Sequence, residues 1–121
     1  MIRYYTNNGH AEFIFKVVGP NGISFHIIDR YSSMRAFQSL LRKDLDDSIN
    51  LNDLPTFPKK KMFNTMDTAF LDNRMANLSN FFNEFFKRPE VARNRLVMTY
   101  FLSKPADQDS EDKIIMLHNL L

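Results

Sequence analysis

Two hydrophobic rhythms divide the chain. Through the first third, apolar residues alternate with polar ones, and from Tyr31 onward they recur every three to four positions. "HAEFIFKVV" and "ISFHIID" are β-prone runs around Gly19-Pro20-Asn21-Gly22, which predicts a hairpin. "MIRYYTNN" runs into the turn signal Asn7-Asn8-Gly9 and adds a third antiparallel strand. In the last strand Ile23, Phe25 and Ile27 share one face, and Ser24, His26, Ile28 and Arg30 share the other. Arg30 therefore emerges at the strand's end, beside Tyr31.

The helical rhythm begins after Ser32 or Ser33, either of which suits an N-cap for "MRAFQSLLRKDL". Met34, Phe37, Leu41 and Leu45 form its apolar face, flanked by Leu40. A longer helix starts around Thr68, with Leu71, Met75, Leu78, Phe82 and Phe85 as its stripe and Phe70, Phe81 and Phe86 widening it. Arg74 falls inside that apolar arc, between Phe85 and Phe81. It also lies in the first turns, where the helix dipole disfavours a cation. An arginine placed against both preferences requires a partner. Pro89 suits the first turn of a last helix, "PEVARNRLVMTYFL". Beyond it, "SKPADQDSED" reads as a polar linker and "KIIMLHNLL" as a short apolar tail. The division is a domain over residues 1–103 and a linker with tail over 104–121. Strands first and helices afterwards predict an α+β fold, a three-stranded antiparallel sheet packed against a helical subdomain.

Composition narrows what such a domain does. The chain has 121 residues, 44% of them hydrophobic and twelve of them phenylalanine, enough for one core. A formal net charge of only +2 means that any anion site must come from local clustering. The absence of cysteine excludes disulfides and thiolate zinc sites and fits a reducing compartment. With no apolar run of membrane-spanning length and no signal-peptide pattern, the expectation is a soluble, intracellular chain. His10, His26 and His118 lack metal-ligand spacing. The serines of "RYSS" lie in no nucleophile elbow, and Gly9, Gly19 and Gly22 read as turns rather than as a phosphate loop. The chain is therefore not expected to be an enzyme or to hold a metal or cofactor. Its aromatics sit at core positions rather than on stacking platforms, which speaks against nucleic acid.

"LPTFPKKK" carries the remaining chemistry. Prolines three apart bias Leu54 to Pro58 towards an extended chain that places Lys59, Lys60 and Lys61. With Arg30 and Arg74, these lysines supply cations from three elements, each at an element's edge. Singly, each has a plain structural reading: a surface ion pair for Arg30, a solvated loop for the lysines, a core ring for Tyr31. Arg74 is the exception.

The order "RYSSM", "LPTFPKK", "FLDNRMANLSNFF" resembles the Phox-homology (PX) domain over roughly Ile2 to Leu102. The resemblance implies binding of a phosphoinositide, commonly phosphatidylinositol 3-phosphate, by a peripheral protein on the cytosolic face of endosomal membranes. Carried over, it implies that Arg30 grips the 3-phosphate, with Ser32 adding a hydrogen bond and Tyr31 forming the pocket floor. Lys60 takes the 1-phosphate and Arg74 the 4- and 5-hydroxyls. Neighbouring side chains diverge in an extended segment, so Lys59 and Lys61 are set facing anionic lipid, with Met62 and Phe63 inserting between head groups. Asp29 stands where the family often has a base, Met34 where an aromatic is usual and Ser33 where an acid is common. No presumed ligand is lost. The rival reading is a protein-interaction module that presents Pro-x-x-Pro-x-Lys to SH3-type partners. Other protein partners would come through the parent protein.

Overall fold

The structure, a computed structural model, describes residues 4–7, 9–19, 24–61, 66–104 and 113–116. Strands β1 (Tyr4–Asn7), β2 (His10–Val18) and β3 (Ser24–Arg30) form the expected antiparallel sheet. β1 pairs with β2 from Tyr4↔Phe13 to Asn7↔His10, and β2 pairs with β3 from Glu12↔Arg30 to Val18↔Ser24. The tight β1–β2 connection requires left-handed backbone, which Gly9 supplies at φ 83°. Phe13, Phe15 and Val17 of β2 turn into the core with Ile27 of β3, which lies on the face that the alternation separates from Arg30. Ile23 lies outside the described residues.

The helices cover that face. α1 (Tyr31–Leu45) buries Met34, Phe37, Leu41 and Leu45, whereas Leu40 is exposed. It starts earlier than the serines suggested. Arg30 is its N-cap residue, with extended φ −98° and ψ 161°, because the strand passes straight into the helix without a loop. A 3-10 turn (Leu51–Asp53) then leads into the proline segment. α2 (Thr68–Phe85) starts where expected and buries its predicted stripe together with Arg74. Its phenylalanines continue an aromatic network. Phe57 meets Phe81 edge-on at 5.0 Å, and Phe86 meets Phe101 at 5.6 Å. Such pairs add about 0.5–1.5 kcal/mol each beyond simple burial.

The last predicted helix is two helices, α3 (Pro89–Ala92) and α4 (Arg95–Leu102). Asn94 makes the break. Its side chain accepts from the Leu96 N–H as an N-cap and donates to Asp44 on α1 at 2.7 Å. A second difference lies in the tail, where Lys113–Met116 forms β4, parallel to β2 over Phe15↔Lys113 to Val18↔Met116. One edge of β2 is thus shared end to end by β1 and β4, opposite β3.

At the end of β3, Asp29 turns inward while Arg30 turns out. The Asp29 carboxylate is buried, 6% exposed, and accepts from the Tyr100 hydroxyl at 2.5 Å and from the Arg30 backbone N–H at 2.9 Å. Lys104 Nζ stands 3.6 Å away, and its carbonyl accepts from the Ile28 N–H. Burial, with Asp29's charge and hydrogen bond adding to it, pushes the Tyr100 phenol far above its ordinary range. It therefore stays a donor at any working pH. The end of α4 holds the strand terminus from which Arg30 projects.

Candidate anion-binding site

A cleft of about 270 Å³ opens where the β3–α1 junction, the proline segment and the start of α2 converge. Arg30, Tyr31 and Ser32 line it from the junction, Lys60 and Lys61 from the segment, and Phe70, Leu71 and Arg74 from α2. Gly9, His10 and Ala11 of the β1–β2 turn close one wall. Every predicted head-group residue is in this lining. The structure brings together four cations from three elements that lie far apart in sequence.

Arg30 is set there by its backbone and not by its side chain. Asp29 fixes its N–H, and its guanidinium is exposed, with no hydrogen bond or ion pair among the described residues. α1 begins at the same place with no side-chain cap and no acidic residue in its first turn. Its first N–H groups therefore add partial positive charge beside Ser32.

Arg74 has the partners its position demanded, but none is a carboxylate among the described residues. Nη2 donates to the Lys59 carbonyl at 2.9 Å. The guanidinium lies 3.9 Å from the centre of the Tyr31 ring and 4.7 Å from that of Phe70. Nη1 is buried without a hydrogen-bond partner among the described residues, in a residue only 5% exposed. A buried donor left so costs about 1–3 kcal/mol, which an acceptor entering the cleft would recover.

The proline segment is held through its carbonyls. Tyr31 donates to Pro58 O at 2.5 Å, Arg74 to Lys59 O, and Arg42 of α1 to Pro55 O. Leu54 and Phe57 are buried beneath it. These contacts place exposed Lys60 on the cleft rim. Lys61 departs from the expected divergence: it also lines the cleft, with Nζ 4.5 Å from the centre of the Phe70 ring. Cation–π attraction draws it to the same side as Lys60. Exposed Lys59 lines a second opening, of about 360 Å³, across the segment beside Arg35 and Arg42. Burial lowers the Arg42 pKa, from a starting point high enough to keep the group charged. Met62 and Phe63 lie outside the described residues.

Sequence reasoning passed over His10, Phe70 and Arg42. Phe70 was open to discovery, since it precedes Arg74 by one helical turn and shares its face. His10 and Arg42 depend on which segments meet, and local periodicity carries no such signal.

Residues 17–105 match the family model for the PX domain. The chain belongs to the PX domain family, a family of binding modules. It is 36% identical over 84 residues to sorting nexin MVP1 of Candida glabrata, a match covering 69% of this chain but only 16% of that protein. Its backbone superposes on a designed CISK-PX domain, solved by X-ray crystallography, with a TM-score of 0.67. That match covers 84% of this chain and 92% of the other at 19% identity, which shows the fold. Membership of the family supports a phosphoinositide-binding, membrane-targeting module that associates peripherally. No helix among the described residues is long and apolar enough to cross a membrane.

Proposed function

We propose that the cleft recognises phosphatidylinositol 3-phosphate and holds the chain on endosomal membranes. The observation that carries this reading is the convergence on one cleft of Arg30 and Arg74 Nη1, both without a side-chain partner among the described residues, with exposed Lys60. In this reading Arg30 binds the 3-phosphate with Ser32 assisting, Lys60 takes the 1-phosphate, and the inositol ring rests against Tyr31. Arg74 donates to the 4- and 5-hydroxyls. Lys59 faces anionic lipid and Met62 with Phe63 inserts between head groups, while Lys61 joins the cleft cations.

Selectivity follows from Arg74. One guanidinium already committed to the Lys59 carbonyl suits two hydroxyls better than two further phosphates, which demand more positive charge. In flotation with liposomes carrying each phosphoinositide in turn, the chain is expected to prefer the 3-phosphate. Arg74→Ala should weaken binding and narrow that preference. Equal or stronger binding of the unmodified chain to the 4,5-bisphosphate would defeat the assignment. The SH3-ligand reading finds less support. The carbonyls of Pro55 and Pro58 are engaged within the domain, and Phe57 between them is buried.

A further inference from the structure

We propose that His10 is an additional head-group contact, and that its charge makes binding tighten as pH falls relative to a chain with a neutral residue at that position. The inference rests on the phosphoinositide reading of the cleft. His10 starts β2, immediately after the left-handed Gly9, and lines the cleft. Side chains two apart on a strand share a face, so His10 lies with Glu12, and Glu12 is the register partner of Arg30. The imidazole therefore stands on the Arg30 side of the sheet. It is half-buried, with Nε2 3.5 Å from Glu12 Oε1.

The charges around it decide the sign. Among the described residues, Glu12 on its own strand is the carboxylate in contact with it. Arg30 from β3, Lys60 and Lys61 from the proline segment and Arg74 from α2 line the same cleft, and the β1 residue paired with His10 is uncharged Asn7. A phosphate-bearing ligand brings negative charge to this predominantly cationic lining and favours the imidazolium. Binding then favours proton uptake, so the contribution of His10 to affinity grows as pH falls.

The test is isothermal titration calorimetry of the full chain with water-soluble short-chain phosphatidylinositol 3-phosphate between pH 5.5 and 8. Wild type is compared with His10→Gln and His10→Arg. The ligand's own second ionisation, near pH 6, weakens all three alike as pH falls. The wild type should approach the arginine variant at low pH and the glutamine variant at high pH. A wild-type profile parallel to that of His10→Gln throughout overturns the proposal. No binding by any of the three at any pH would remove the head-group reading itself, and this inference with it.

Discussion

Arg30→Ala is expected to abolish measurable binding to 3-phosphoinositide membranes while the domain stays folded. Losing a charge-assisted phosphate contact from a binding pocket costs roughly 2–5 kcal/mol, at least about thirtyfold in affinity. Stability should hold because the Arg30 side chain makes no hydrogen bond or ion pair among the described residues. The bond that fixes the junction runs from its backbone N–H to Asp29, and alanine keeps it. An exposed substitution of this kind stays within about 0.5 kcal/mol. Flotation with phosphatidylinositol 3-phosphate liposomes, paired with a thermal melt, reads both halves. A variant that floats as well as wild type would remove Arg30 from the site.

Phe57→Ala should do the reverse, losing stability first and binding as a consequence. Phe57 is 9% exposed and packs on Tyr31, Phe81 and Phe82, with ring centres at 5.3, 5.0 and 6.3 Å. Deleting a buried phenyl ring costs about 3–5 kcal/mol through lost burial and the cavity left behind. The same ring anchors the segment that carries Lys60 and receives the Tyr31 and Arg74 hydrogen bonds at Pro58 and Lys59. Head-group affinity should therefore fall as well, through loss of preorganisation rather than loss of a contact. Urea unfolding measures the first effect. Unchanged stability would mean that the segment is held by its carbonyl hydrogen bonds alone.

These two residues mark what local pattern reveals. Alternation set Phe25 and Ile27 on one face of β3 and Arg30 on the other, because strand geometry forces it whatever surrounds the strand. Helical periodicity exposed Arg74 as misplaced, since a guanidinium in an apolar arc conflicts with burial wherever the helix packs. The remaining features depend on segments distant in sequence. Tyr100 on α4 makes Asp29 a buried acceptor 71 residues away. β4 exists because a free stretch of β2 edge lies beside β1, which four residues of "KIIM" cannot announce. Arg42 reaches Pro55, and Lys61 bends back over Phe70, only because α1, α2 and the proline segment meet. The residues proposed as phosphate ligands are legible through ordered motifs, whereas the side chains that aim them are not.

An NMR titration of the full chain with short-chain phosphatidylinositol 3-phosphate, following backbone amides and arginine Nε–Hε signals, tests the central claim most directly. Saturable shifts should concentrate on Arg30, Ser32, Lys60 and Arg74, with Arg74 Nε–Hε among the largest. Shifts confined to Arg35 and Arg42 across the proline segment, or no saturable shift at ligand excess, would contradict it.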